Sequence, residues 1–157
     1  MTVITHARRK PRLAKLIESA GGMSVGTALT QARENLDKLR PKGLEEVAAR
    51  VNEMAAIAPP ETAEDRVTAM LAAYHAANGV IDAAGPFDLP DLCGVATGLC
   101  DLIDAASEER PLDWRVVPVH VQTLRLLLAL PAEAKAERAA VLAELNGLVE
   151  KKLSRAG

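Results

Sequence analysis

A single histidine near the middle of the chain is the residue best suited to chemistry. His75 is followed by Gly79 four positions later and by Gly85 ten positions later. Residues i and i+4 of a helix lie one turn apart on the same face, so Gly79 would leave the approach to the imidazole uncrowded. A neutral imidazole is a nucleophile or a general base. The alternative interpretation is that His75 is an ordinary, half-exposed helical residue.

The residues around His75 predict a long helix over residues 62–84. Thr62, with Asp65 three positions later, is typical of a capping box, and Gly85 followed by Pro86 predicts the end of the helix, with the glycine left-handed. Residues at steps of three and four predict its buried face: Val67, Met70, Leu71, Tyr74, Asn78 and Ile81. His75 lies one position off this stripe and is expected to flank it.

The pattern of His75, Gly79 and Gly85 resembles that of histidine-containing phosphotransfer (Hpt) domains. In that family a helix carries His-x-x-Lys-Gly, with a second glycine or small residue near position ten. The following helix of the family is similar to residues 89–104 of this chain. The resemblance covers about residues 43–130 and is closest over residues 62–104. The chain as a whole also resembles small proteins encoded beside alphaproteobacterial chemotaxis genes.

The resemblance implies a phosphorelay carrier in two-component or chemotaxis signalling, with no independent catalytic turnover. His75 would exchange a phosphoryl group with the aspartate of a response-regulator receiver domain. The expected partners are such a receiver domain, a histidine kinase, or both. Tyr74, Asn78, Gly79 and Asp82 would contact the phosphoryl group or the receiver. The carrier itself would need no cofactor, because Mg²⁺ is expected on the receiver.

One departure from the family pattern supports a second hypothesis. Asn78 stands where the family has a lysine that offsets phosphoryl charge, and asparagine donates hydrogen bonds but carries no charge. The chain would then be a non-catalytic, Hpt-like helical adaptor that binds a receiver or a kinase without phosphotransfer. In that case His75 would be dispensable.

Composition favours helices and argues against several classes of function. Of the 157 residues, 49% are hydrophobic and only 2% are aromatic, with alanine and leucine dominant. The net charge of −2 and the scarce aromatics argue against a nucleic-acid partner. No apolar run approaches the roughly 18 residues of a membrane span, and no secretory signal is visible. We therefore expect a cytoplasmic protein with no membrane partner. The nucleotide-binding, zinc-protease, calcium-binding and hydrolase motifs are missing.

The two cysteines are predicted to be structural. Cys93 and Cys100 are seven positions apart, which places them on one helix face about 10 Å from each other. That separation is too long for a disulfide, and no CxxC spacing predicts a metal site. We expect buried free thiols. His120 and Gln122, further along the chain, are expected at the surface or in an interface.

The helical pattern predicts an all-α protein, an antiparallel bundle of the four-helix type with additional terminal helices. The four main helices are predicted at residues 43–58, 62–84, 89–106 and 114–130. A helix over residues 24–40 would end before Pro41, and the last helix would open at Pro131. Asp88 is expected to cap the helix that follows it. The last helix has an apolar stripe of Leu142, Leu145, Val149 and Leu153.

The chain is expected to have one domain and an N-terminal arm. Residues 1–23 would form a basic, partly flexible arm, since five basic residues precede the first acid: Arg8, Arg9, Lys10, Arg12 and Lys15. Residues 24–157 would form the helical-bundle domain. A homodimer is the alternative architecture, in which helices 62–84 and 89–106 pair with their copies.

Overall fold

The computed structural model describes residues 22–154, which form helices joined by short connections. The helices are α1 (Val25–Ala55), α2 (Ala63–Ala84), α3 (Pro90–Asp104), α4 (Val116–Ala129) and α5 (Lys135–Ser154), with a 3₁₀ turn at Gly85–Phe87. Residues 22–154 contain no β-strand. The predicted all-α helical bundle is confirmed. None of the helices in this part of the chain is long and apolar enough to cross a membrane.

The chain divides into two units, residues 1–35 and residues 36–157. In the first unit, every described residue from 22 to 35 is exposed. The second unit contains the rest of α1 and the four helices that follow. The arm predicted over residues 1–23 lies outside the described residues except for its last two positions, so it stays a prediction.

Helix α3 lies at the centre of the second unit, where it packs against α2, α4 and α5. Its buried side chains include Leu92, Val95, Leu99 and Leu102. Side chains of α1 and α4 complete the same core: Val47, Val51, Met54, Val117, Val121, Leu124 and Leu127. From α5, Leu145 and Val149 are buried and Leu142 and Leu153 are half-buried, as the predicted stripe required. Both cysteines are free, as predicted, but only Cys100 is buried and Cys93 is partly buried.

The buried face of α2 consists mainly of alanines, so the predicted stripe was right only in part. The buried residues are Ala69, Ala73, Ala76, Ala77, Val80 and Ala84. Val67 and Leu71, from the predicted stripe, are instead 62% and 54% exposed. Both sets have helical spacing, so periodicity alone does not distinguish them. The small alanine side chains let α2 pack closely against α3. Of the larger side chains, Met70, Tyr74 and Ile81 are partly buried against the core, and Val67 and Leu71 remain at the surface.

Both ends of α2 were predicted correctly, but the left-handed conformation expected of Gly85 was not. The backbone N–H of Asp65 donates to Thr62 Oγ1 at 3.1 Å, and the N–H of Thr62 donates to Asp65 Oδ2 at 3.3 Å, which completes the capping box. Gly85 is right-handed, with φ of −54°, because the chain continues directly into the 3₁₀ turn. The left-handed residue is Asp88, with φ of 53°. Leu89, and not Asp88, therefore holds the position before α3.

Helix α1 passes through Pro41, where two separate helices had been predicted. Proline has no backbone N–H and usually ends or kinks a helix. Here the following residues Gly43, Val47, Val51 and Met54 are buried, and this packing holds the helix beyond the proline. A Cβ atom on Gly43 would overlap the ring of Phe87, so the glycine permits a close approach to the 3₁₀ turn.

The last helix begins four residues later than predicted. Helix α5 starts at Lys135, and Pro131 belongs to the turn before it. The N–H of Ala134 donates to the carbonyl oxygen of Pro131 at 3.1 Å, which closes this turn. The turn separates Pro131 from the first helical position, so the proline does not initiate α5.

His120 is fully buried in α4, although a position at the surface or in an interface was predicted. Its Nδ1 lies 2.7 Å from the carbonyl oxygen of Val116. Because a carbonyl only accepts hydrogen bonds, Nδ1 carries the ring proton and Nε2 has a free lone pair. Nε2 is buried without a hydrogen-bond partner among the described residues. Burial lowers the pKa of His120, because a charged ring would be poorly solvated there.

We expect the free energy of unfolding to fall as the pH drops below about 6.5. His120 in the unfolded chain titrates near that pH, whereas its pKa in the folded protein is lower. Between these two pKa values the unfolded state binds one more proton than the folded state. The free energy of unfolding therefore falls by up to about 1.4 kcal/mol for each pH unit in that range. Urea unfolding at several pH values would measure this slope. His120→Met has no titratable ring at this position, so the contribution of His120 to the pH slope should be missing. Equal slopes in both proteins would show that His120 does not cause this dependence.

Candidate functional site

His75 projects from the middle of α2 into solvent. The helix is fixed on its opposite side by the buried alanines, while His75 itself is exposed. Neither ring nitrogen makes a hydrogen bond to any residue in the range 22–154. A free and exposed imidazole on a well-packed helix has its lone pair available for reaction.

Gly79, one turn after His75, is the point where α1 approaches α2. A Cβ atom at Gly79 would lie 2.7 Å from Cδ of Arg50 and 3.2 Å from its Cγ. The glycine therefore makes room for the arginine side chain. The sequence had suggested that Gly79 keeps the approach to His75 open, but the space above it is occupied by the aliphatic part of Arg50.

The guanidinium of Arg50 is held by two carboxylates of its own helix. Its Nε donates to Glu46 Oε1 at 2.9 Å, and its Nη1 donates to Glu53 Oε2 at 2.9 Å. The hydrogen bond that Arg50 donates to Glu46 and the charge of Glu53 raise the pKa of Arg50. The side chains of Arg50, Glu46 and Glu53 are 38%, 51% and 55% exposed. Exposed ion pairs typically contribute only about 0–1 kcal/mol to stability.

An open hollow of about 490 Å³ lies between α1 and α2 at this point. Its lining includes Glu46, Arg50, His75, Asn78, Gly79 and Asp82. The structure thus brings four of the five predicted site residues to one hollow, together with a cation and a carboxylate from α1.

Tyr74, the fifth predicted site residue, contributes to a different surface. It lines a separate, mostly apolar groove of about 250 Å³ with Val67, Met70, Leu71, Ile103 and Asp104. Leu71 is one helical turn before His75 and Val67 is two turns before it, so this apolar groove adjoins the hollow along α2.

No protein-family model, no curated protein and no solved structure matches this chain.

Arg50 and Glu46 are the residues of the hollow that sequence reasoning missed. Their spacing of four predicts an ion pair on one helix, which is a common surface feature. Nothing in the sequence indicates which face of α1 meets Gly79. The sequence clue was Gly79 itself, since a mid-helix glycine often marks a close approach by another element.

The described part of the chain has no cluster of side chains that would form a metal-binding site. Residues 22–154 contain no group of three His, Cys, Asp or Glu side chains arranged to hold a metal ion.

The thiol of Cys100 is not activated for chemistry. Burial, and to a smaller extent the charges of Asp104 and Asp101, raise the pKa of Cys100 to about 11. The Cys100 thiol therefore stays protonated near neutral pH and is a poor nucleophile.

Proposed function

We propose that this chain is a histidine phosphotransfer protein that carries a phosphoryl group on His75. The observation that supports this most directly is the exposed imidazole on α2, free of hydrogen bonds to residues 22–154, beside an open hollow. The phosphoryl group would come from, or pass to, the aspartate of a response-regulator receiver. A histidine kinase is the other proposed partner. Two-component signalling of this kind, including chemotaxis, places the protein in the cytoplasm.

The proposed transfer is a nucleophilic displacement at phosphorus. The lone pair of the neutral His75 imidazole attacks the phosphorus of the receiver's aspartyl phosphate. An N–P bond forms as the P–O bond breaks, the aspartate leaves as a carboxylate, and the second ring nitrogen releases its proton to solvent. The receiver is expected to supply Mg²⁺, while this chain holds and orients the imidazole.

The exposed side chains before His75 suit contact with a receiver. Val67 and Leu71 place exposed apolar surface next to the reactive imidazole. Asp82 lies exposed on the other side of His75, about two turns further along α2. A partner that approaches His75 would therefore meet apolar and polar contacts along one helix. Exposed apolar patches of this kind often mark protein interfaces.

The direct test is transfer from a phosphorylated receiver to the purified chain. We expect label that is acid-labile and base-stable, as a phosphoramidate is, and mass spectrometry should locate it on His75. Receivers and kinases encoded near the gene are the first partners to try. A chain that binds a phosphorylated receiver tightly but never accepts label would contradict phosphotransfer.

The same surface supports a second candidate, an adaptor that binds a receiver or kinase without transfer. Asn78 brings no charge to the hollow, and the apolar groove lined by Tyr74 and Leu71 needs no reactive histidine to bind a partner. Binding that survives His75→Ala but is lost in Leu71→Asp, with no label transferred, would favour the adaptor.

Asn78→Lys tests whether charge at this position matters for transfer. A lysine about 4 Å from a phosphoryl oxygen contributes roughly 1 kcal/mol at an exposed site, or about fivefold in an equilibrium constant. We therefore expect phospho-His75 to form or persist severalfold more in Asn78→Lys than in wild type. Transfer rate and phosphohistidine half-life with one receiver would measure this. An unchanged rate and half-life in a labelled protein would show that position 78 has no such role.

A further inference from the structure

The hollow beside His75 contains more negative than positive charge. Among the described residues that line it, Arg50 is the one cation, and the carboxylates of Glu46 and Asp82 oppose it. A phosphoryl group on His75 would carry about −1.5 to −2 charges near neutral pH. It needs a cation in reach, and α2 supplies none at position 78.

We infer that Arg50 binds the phosphoryl oxygens on His75 and leaves its carboxylate partners on α1 to do so. This inference rests on the proposed function and assigns the charge-stabilising role to α1, a different helix from the one that carries the histidine. The aliphatic stem of Arg50 already crosses α2 at Gly79, one turn from His75.

Charge and geometry both favour the move of Arg50 from its carboxylate partners to the phosphoryl group on His75. Arginine presents a planar fork of donors that matches two phosphoryl oxygens, and the phosphoryl group is more negative than a carboxylate. Glu46 and Glu53 are each about half exposed, so water solvates them when Arg50 departs. Gly79 favours this arrangement, because a Cβ atom at position 79 would lie 2.7 Å from Cδ of Arg50 and the arginine stem would have to shift.

The exchange would also make phosphorylation visible on α1. When Arg50 turns to the phosphoryl group, Glu46 and Glu53 lose their shared cation. The exposed face of α1 then gains uncompensated negative charge next to the hollow. A partner that contacts both helices would sense the phosphorylated state through α1.

The experiment measures the ionisation of the phosphoryl group itself. The full chain is phosphorylated with phosphoramidate, a small-molecule donor that reacts with accessible imidazoles, and the ³¹P signal lost in His75→Ala is assigned to phospho-His75. The midpoint of its pH titration is then compared between wild type and Arg50→Gln. A nearby cation favours the dianion, so we expect the midpoint to rise by about 0.7 pH unit in Arg50→Gln.

Three further variants make the result specific. Glu46→Gln removes a competing carboxylate and should shift the midpoint in the opposite direction. Arg50→Lys keeps the charge and should retain much of the wild-type value, which also covers the possibility that Arg50→Gln alters the fold. Arg66→Gln removes an exposed arginine of α2 nine positions before His75 and should leave the midpoint unchanged.

The inference fails if the midpoint of phospho-His75 is the same in wild type and in folded Arg50→Gln. That outcome would leave the proposed function intact, because the proposed function is tested separately by transfer from a phosphorylated receiver. Failure of the proposed function would appear differently, as phosphoramidate labelling of His75 without any transfer from a phosphorylated receiver. An upward shift in Arg50→Gln together with a downward shift in Glu46→Gln would support the inference.

Discussion

Replacing His75 with alanine is expected to abolish phosphotransfer and leave the fold unchanged. If His75 is the proposed nucleophile, its removal leaves no lone pair at this position, and labelling from a phosphorylated receiver should fall by about a thousandfold or more, to background. The side chain is exposed and has no hydrogen bond to residues 22–154, so its loss removes no packing. Alanine has the higher helix propensity, by about 0.5 kcal/mol, so thermal stability should be equal or slightly higher.

Gln122→Ala is the matched control for this experiment. Gln122 is also an exposed helical residue, but it lies on α4, outside the hollow and the apolar groove. The Gln122→Ala variant should accept as much label from a phosphorylated receiver as wild type does. Label retained on His75→Ala would show that another residue is phosphorylated. Melting curves would show whether any loss of label reflects unfolding.

Arg138→Ala is expected to lower the free energy of unfolding by about 3 kcal/mol. Arg138 joins three helices: its Nε donates to Asp91 Oδ2 of α3, and its Nη1 donates to the carbonyl oxygens of Leu127 and Leu130 at the end of α4, at 2.6 and 2.9 Å. The side chains of Arg138 and Asp91 are only 12% and 16% exposed. Alanine would leave a largely buried carboxylate and two carbonyls without their donor, which is the costly way to break an ion pair.

Chemical denaturation with urea measures this loss, and Arg115→Ala provides the comparison. Arg115 also pairs with a carboxylate, that of Asp113, but its side chain is 87% exposed. Exposed pairs contribute about 0–1 kcal/mol, so Arg115→Ala should have a small effect. Similar losses in both variants would mean that the burial of Arg138 does not set its contribution.

The sequence was sufficient for the helical class and for most helix positions, but not for the orientation of α2. The capping box at Thr62 depends on neighbouring residues, so it could be predicted locally. The buried face could not, because larger side chains normally gain more from burial and Val67 and Leu71 were therefore assigned to the core. The observed alanine face depends on how closely α3 approaches, which is a property of the assembled bundle.

The same distinction applies to Pro41, His120 and the hollow. Local rules end a helix at a proline and leave a histidine at the surface, but burial of the turns that follow Pro41, and burial of the face of α4 that carries His120, override both rules here. His75, Asn78, Gly79 and Asp82 share a hollow because they share one side of α2, which spacing alone predicts. Arg50 enters from another helix, so its position depends on tertiary packing and required the structure.

The alanine face of α2 has a consequence for how this protein can acquire new partners during evolution. The residues that hold the helix in place, such as Ala73 and Ala77, are buried, whereas Val67, Leu71 and Asp82 are at the surface. Substitutions at those surface positions change the shape and charge offered to a partner at little cost in stability. After gene duplication, copies of the chain would be able to acquire different partners, and so avoid crosstalk, without passing through an unstable intermediate.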